Sequence, residues 1–143
     1  MDSRTARIVD VNLNRLTEGL KVVEDVVRFG PDSPPGRLPA QRGLLRSIRA
    51  LRTKVGADVR VLRRQVIARR ASETDPGRAD RFDRTKRRSL DDVLAANFKR
   101  CEESCRVLEE LLKIDEPRLA VKFKAARFRL YDLERRALAA PRP

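Results

Sequence analysis

The chain repeats one helical segment, and this repeat limits the possible folds more than any other feature of the sequence. Residues 12–29 read NLNRLTEGLKVVEDVVRF, and residues 97–114 read NFKRCEESCRVLEELLKI. Apolar residues at three- and four-residue steps make both segments amphipathic helices. Polar residues also return 85 positions later in the same phase. The residues that return unchanged are Asn12, Arg15, Glu18, Val22 and Glu24, as Asn97, Arg100, Glu103, Val107 and Glu109.

A second, weaker repeat follows the first. Residues 48–55 (IRALRTKV) align with residues 123–130 (FKAARFRL), which places Arg52 at the position of Arg127. The chain therefore consists of two copies of a helical hairpin. Each hairpin has one apolar face, and pairing two of them buries both faces. We predict an all-α four-helix bundle of two pseudo-repeated hairpins, in which the first helix packs against the third.

The apolar spacing predicts four helices in one domain that spans residues 1–143, with helices over about 5–29, 40–70, 89–113 and 117–139. Gly56 weakens the second helix and could mark a break. Ser89 with Asp92 is the pattern of a capping box, and Pro117 suits the first turn of the last helix. Residues 71–88 have no apolar period and are predicted to form a long basic loop.

The repeated polar residues fall near the apolar side of each helix. On a helical wheel, Asn12 and Arg15 lie inside the apolar arc of the first helix, and Glu18 and Glu24 lie at its edges. Their counterparts in the third helix take the same positions. One interpretation is a buried network in which Arg15 and Arg100 each pair with a Glu. The other is an anion site, in which Arg and Asn bind phosphate and Glu holds Mg²⁺ or accepts a proton.

The net charge of +13 points to anionic partners. Residues 59–88 contain eleven Lys or Arg and four Asp or Glu. Such a segment attracts nucleic acid, an acidic protein or the phosphates of a small ligand, although it also suits the solvated surface of an arginine-rich proteome. Aromatic residues make up only 4% of the chain, so a base-stacking surface for nucleic acid is poorly supplied.

The sequence lacks the residues and motifs of several common sites: the usual general base and metal ligand, the phosphate-binding loop, the Rossmann dinucleotide site and the nucleophile elbow. It contains no His and no GxxxxGK[ST], GxGxxG or GxSxG motif. Cys101 and Cys105 lie four apart on one predicted helix and are interpreted as small core residues. The N-terminus shows no signal-peptide pattern, and no apolar run approaches the ~20 residues of a membrane span. We therefore expect a cytoplasmic protein without a membrane partner.

Three stretches resemble a known family: RIVDVNLNRLTEGLKVVEDVVRF, DDVLAANFKRCEESCRVLEELLK and FKAARFRLYDLE. They are similar to a small all-helical family of thiamine biosynthesis, the second, non-ribokinase type of hydroxymethylpyrimidine phosphate kinase. Its members occur alone or fused to the N-terminus of thiamine-phosphate synthase. The resemblance implies transfer of a phosphoryl group from ATP to 4-amino-5-hydroxymethyl-2-methylpyrimidine phosphate, with ATP and Mg²⁺ as cofactors.

The resemblance also implies a set of site residues. The expected catalytic residues are Glu18, Glu103, Arg15 and Arg100. The expected substrate- and phosphate-binding residues are Asn12, Asn14, Asn97, Lys99, Arg70, Arg106 and Arg127. The expected metal ligands are Glu18, Glu103, Glu24 and Glu109. The expected partners are the pyrimidine phosphate, a nucleotide, thiamine-phosphate synthase and a second copy of the chain in a homodimer; nucleic acid is not expected.

The sequence departs from the family pattern in the middle loop. Relatives tend to show an R-D-x-x-x-D-x-G stretch there, whereas here Ala71 follows Arg70 and only the DPG of residues 75–77 is recognisable. Two alternatives to the kinase therefore stay open. One is a non-catalytic partner or regulatory domain of thiamine-phosphate synthase, and the other is a basic helical bundle that binds nucleic acid.

Overall fold

The computed structural model describes residues 1–30, 35–79 and 85–139, and the regular structure in these ranges is entirely helical. This confirms the all-α bundle. The helices are α1 (Ser3–Phe29), α2 (Leu38–Asp58), α3 (Arg60–Ile67), α4 (Leu90–Asp115) and α5 (Pro117–Leu138), with two short 3₁₀ turns at Pro35–Arg37 and Ser72–Thr74.

Side-chain caps fix where α1 and α4 begin. The Asp2 carboxylate accepts hydrogen bonds from the backbone N–H groups of the first turn of α1. Ser89 Oγ accepts from the N–H of Asp92 at 3.1 Å, and the Asp92 carboxylate accepts from the N–H of Arg88 at 2.9 Å. This reciprocal pair confirms the predicted capping signal. Pro117 opens α5, also as predicted.

The second predicted helix is in fact two helices, so the prediction of one helix over 40–70 is wrong. The chain leaves helical geometry at Val59 (φ −102°, ψ 4°), between the end of α2 and the start of α3. The break turns α3 so that it packs against α1, where Leu62 and Val66 are buried. The break lies three residues after Gly56, the residue at which the sequence suggested a break. The packing of α3 on α1, and not the glycine, decides its position.

The core lies where α1 and α4 pack against each other, as the repeat predicted. The two helices share an extensive interface, α2 and α3 pack on α1, α5 packs on α4, and α2 touches α5. Cys101 and Cys105 are fully buried free thiols, which confirms their prediction as core residues. Burial raises the pKa of Cys105 to about 12, so this thiol stays protonated.

The predicted basic loop of residues 71–88 is described in part. Beyond the 3₁₀ turn at its start, residues 85–88 have no regular structure, and residues 80–84 lie outside the described ranges. None of the described helices combines the length and the apolar character that crossing a bilayer requires.

Candidate functional site

The two copies of the repeat meet at equivalent residues. Cys101 has the position in α4 that Leu16 has in α1, and its Sγ–H donates to the carbonyl of Leu16 at 3.6 Å. The terminal ammonium of Met1, at the start of α1, lies 3.9 Å from the carboxylate of Asp115, at the end of α4. The helices are therefore antiparallel, and a pseudo-twofold axis passes between Leu16 and Cys101.

A glycine lets α1 and α4 approach closely beside this axis. A Cβ at Gly19 would lie 2.6 Å from Cys101 Sγ and 3.5 Å from the carbonyl oxygen of Asn97. Contacts below 3.0 Å are not tolerated without movement of a neighbour, so the short distance between the helices depends on this residue.

The paired asparagines make the same hydrogen bond in both copies. Asn12 Nδ2 donates to the carbonyl of Ile8 at 2.9 Å, and Asn97 Nδ2 donates to the carbonyl of Val93 at 2.8 Å. Asn12 is buried and Asn97 is half-buried. The amide nitrogens predicted to bind substrate are thus used within their own helices, and this gives the repeated Asn a structural role.

The four residues predicted as catalytic are exposed rather than turned into the core. They are Arg15, Glu18, Arg100 and Glu103. The expectation that Arg15 and Arg100 lie inside the apolar arc is wrong, because the side of each helix that carries them faces solvent. The pseudo-twofold axis relates the exposed pair on α1 to the exposed pair on α4. We call the surface formed by these four residues the α1–α4 face.

The repeated Glu24 and Glu109 are buried, and each forms an ion pair within its own hairpin. Glu24 accepts hydrogen bonds from Arg49 Nε, at 3.1 Å, and from Arg52 Nη1. Glu109 accepts from Arg127 Nη2 at 2.8 Å. Arg52 and Arg127 are the residues that the weaker repeat aligned, so the two pairs are equivalent. These two carboxylates thus pair with arginines of α2 and α5.

The ion pairs with Arg49 and Arg52 keep the buried Glu24 carboxylate charged. Burial alone would raise the pKa of Glu24, but hydrogen bonds from Arg49 and Arg52 outweigh it and hold the pKa below its ordinary value. Each pair ties the long helix of a hairpin to its partner helix. Glu24, Glu109 and Arg127 therefore have a structural function that accounts for their repetition.

A further ion pair occurs in the first half of the repeat, and its carboxylate, Asp10, is replaced by Ala95 in the second half. Arg70, just after α3, donates from Nε and Nη2 to the two oxygens of the buried Asp10, at 2.7 and 2.8 Å. This bidentate contact raises the pKa of Arg70 and fastens the end of α3 to α1. Asn14 Oδ1 accepts from Arg63 Nη2 at 3.4 Å, next along α1. Two predicted phosphate ligands, Arg70 and Asn14, are thus engaged with described residues.

The other predicted ligands are placed on the surface of α4. Lys99 and Arg106 are exposed, and Arg106 Nη2 lies 3.3 Å from the carboxylate of Glu110. The structure does not bring the four predicted metal-binding glutamates together: across the described residues, no three acidic, Cys or His side chains form a group that could hold a metal ion.

One unusual residue was missed from sequence. Glu102 is buried between α4 and α5, beside Glu134. Burial, and then the hydrogen bond with Glu134, raise the pKa of Glu102 to about 8. Its counterpart in α1 is Thr17, so a search for repeated residues passes over it. The available signal was a Glu on the apolar side of α4.

The chain is similar to known proteins over most of its length. The model of the ThiD2 family matches residues 7–136. A thiamine-phosphate synthase of Synechococcus sp. (strain CC9605) is 38% identical over 135 residues, and one of Gloeobacter violaceus (strain ATCC 29082 / PCC 7421) is 40% identical over 129 residues. These alignments cover 94% and 90% of this chain but 35% of each relative, so the chain spans about a third of their length. No solved structure matches it.

Proposed function

The chain belongs to the ThiD2 family, and from this premise we propose that it transfers a phosphoryl group from ATP to 4-amino-5-hydroxymethyl-2-methylpyrimidine phosphate. Relatives named thiamine-phosphate synthase support a place in thiamine biosynthesis. The motifs that resemble the pyrimidine phosphate kinases lie within the matched residues and support the phosphoryl transfer itself.

The observation that carries the proposal is the repetition of exposed polar residues on the α1–α4 face. Burial between helices explains why Glu24 and Glu109 recur, but it does not explain Arg15, Glu18 and their counterparts in α4, which are exposed. Exposed positions away from caps and packing contribute little to stability. A role in binding or catalysis accounts for them better than a role in packing.

The chemistry of these residues suits phosphate groups. Arg15 and Arg100 present guanidinium groups, whose planar forks bind phosphate oxygens in pairs. Glu18 and Glu103 present carboxylate oxygens on the same face, and such oxygens are the ligands that Mg²⁺ takes from proteins. Mg²⁺, when bound with the nucleotide, supplies positive charge beside the transferred phosphoryl group. One of the two carboxylates also has the chemistry needed to orient the hydroxymethyl group and accept its proton.

The direct test is an assay of the purified chain with ATP, Mg²⁺ and the pyrimidine monophosphate. We expect ADP and the pyrimidine pyrophosphate in equal amounts, resolved by chromatography. If a chain shown by circular dichroism to be folded forms no ADP above a no-enzyme control, the kinase proposal is overturned.

Substitution of Arg15 distinguishes a role in phosphate binding from a role in packing. Arg15→Ala should lower kcat/KM by at least about a hundredfold, since one lost charge-assisted contact costs roughly 3 kcal/mol in a phosphoryl-transfer site. The unfolding midpoint should not change, because Arg15 is exposed. Arg28→Ala, an exposed arginine at the far end of α1, is the matched control and should keep full activity. Loss of activity together with an equal loss of stability would favour a structural role for Arg15.

A second candidate function is supported by the lengths of the relatives. The thiamine-phosphate synthases aligned with this chain contain a further two thirds of sequence that it does not cover. A non-catalytic partner of thiamine-phosphate synthase would form a stable complex with that enzyme and show no turnover in the assay above. Size-exclusion chromatography of the mixture measures the complex.

A further inference from the structure

A cavity of about 310 Å³ opens between α2 and α5, and none of its lining residues belongs to the α1–α4 face. We call it the α2–α5 cleft. Its apolar floor includes Leu51 and Phe123. Its volume lies at the lower end of the range for ligand pockets, which suits a ligand with a single ring.

The weaker repeat explains why this space is not filled. Ala50 and Ala125 have equivalent positions on α2 and α5, and Ala126 is the counterpart of Leu51. Three small side chains thus face the same cleft from both helices.

Positive charges gather at the rim of the cleft. Lys54 and Arg129, which are equivalent in the repeat, line it together with Lys122. The one carboxylate in the lining, Asp58, accepts from Lys54 Nζ at 2.7 Å and from Lys122 Nζ at 3.0 Å. Two lysines thus share one carboxylate beside an apolar cavity, and Arg129 adds a third cation to the rim, so bringing an anion there relieves their mutual repulsion.

The cationic side chains also have the freedom to contact a ligand. The side chains of Lys54, Lys122 and Arg129 are 63%, 48% and 47% exposed. The ion pair of Arg129 is with Asp132 of its own helix, at i+3, and such an exposed pair contributes little free energy. A phosphate can therefore take the place of Asp132 at small cost, and Lys54 and Lys122 each keep ammonium donors beyond the one that Asp58 uses.

We propose that the α2–α5 cleft binds a small phosphorylated ring compound, with the ring on the apolar floor and the phosphate among Lys54, Lys122 and Arg129. It is a second ligand site, distinct from the α1–α4 face. The choice of the pyrimidine monophosphate as probe rests on the proposed function; the site itself rests on the charge and shape of the cleft.

The experiment is an NMR titration of the Arg15→Ala chain, in which the α1–α4 face is impaired. The probes are the pyrimidine monophosphate, the unphosphorylated pyrimidine and inorganic phosphate. We expect shifts of the Leu51 methyl and Phe123 ring signals, and a Kd for the monophosphate at least tenfold lower than for either fragment. Equal affinity for inorganic phosphate would reduce the cleft to a patch of general charge attraction and overturn the proposal.

Substitutions in the α2–α5 cleft test whether the ligand binds there. The double substitution Lys54→Ala with Arg129→Ala should weaken binding at least tenfold, and Ala50→Leu should weaken it by filling the cavity from an exposed position. Lys124→Ala removes an exposed cation of α5 outside the cleft and should leave Kd unchanged. Unaltered affinity in both cleft variants, each with a wild-type unfolding midpoint, overturns the site. Because every measurement is of binding, its outcome is independent of whether the chain turns over ATP.

Discussion

Glu102 keeps a proton at neutral pH because its carboxyl group is buried beside another acid. Only 4% of the residue is exposed, and its Oε2 has no hydrogen-bond partner within the described ranges. Burial and Glu134 raise its pKa, and the attraction of Lys99 is too weak to offset them. The contact between α4 and α5 thus includes an acid that is most stable in its neutral form.

This acid predicts how stability depends on pH. Between the ordinary Glu pKa of 4.5 and the folded pKa of about 8, the folded chain holds a proton that the unfolded chain releases. The free energy of unfolding should therefore fall as pH rises across this window and level off above it. Glu102→Gln should remove this fall, so its stability relative to the wild type should increase with pH up to about 8.

Urea unfolding at a series of pH values between 4 and 9 measures this difference. Glu73→Gln, at an exposed position outside α4 and α5, is the control and should run parallel to the wild type. A constant difference between Glu102→Gln and the wild type across the series would show that Glu102 does not titrate as described.

The sequence identified the repeated residues but not the surroundings of each one. Periodicity placed Glu24 and Glu109 at the edge of the apolar arc, and both are buried there. It could not show that Arg52 and Arg127 would reach them, because those contacts join different helices. Arg15 was placed in the core because the width of the buried arc depends on which edges of α1 other helices cover. The roles assigned to the exposed residues remain predictions.

At the scale of elements, the approach of α1 to α4 depends on Gly19. Alanine is favoured over glycine inside a helix by about 1 kcal/mol, so local propensity argues for alanine at this position. The opposing term is the overlap of a new Cβ with Cys101 Sγ, which lies in a fully buried environment with no room to move. Overpacking of this kind typically costs about 1–3 kcal/mol.

Gly19→Ala should therefore destabilise the chain by up to about 2 kcal/mol. Cys101→Ala in the same chain removes the overlapping sulfur, and the pair should be less unstable than the sum of the two single changes. The control is Gly43→Ala in α2, where a Cβ meets no atom within 4 Å and should stabilise by up to about 1 kcal/mol. Thermal unfolding followed by circular dichroism gives all four values. Additive effects of Gly19→Ala and Cys101→Ala would contradict a clash between these residues.

The sequence predicted where helices lie better than where they break. Caps at Ser89 and Pro117 are local signals, and the helices that they open begin within one residue of the predicted positions. The break at Val59 has no local signal of comparable strength, since no proline is near and Gly56 lies inside α2. It is produced by the packing of α3 on α1, which involves residues far apart in sequence.

At the scale of the whole molecule, the net charge of +13 governs weak association with polyanions. If this attraction is only electrostatic, the affinity for a random DNA duplex should fall by about a thousandfold between 50 and 200 mM salt, as counterion release requires for six or more phosphate contacts. Duplexes of unrelated sequence should bind equally. Fluorescence anisotropy at several salt concentrations measures both. Tight binding to one sequence at 200 mM salt would instead support the nucleic-acid-binding alternative.

The contact between Leu16 and Cys101 has a consequence for how the chain is able to diverge. Equivalent residues that touch at an axis are the mark of a symmetric dimer, here made of two hairpins joined into one chain. Because the two hairpins belong to one chain, their sequences do not have to be identical. Both must keep the side chains that fit together at the axis, but each is free to change elsewhere. Asp10 faces Arg70 in one half while alanine stands at its counterpart, Ala95, in the other. Specialisation of one half thus leaves the shared scaffold intact.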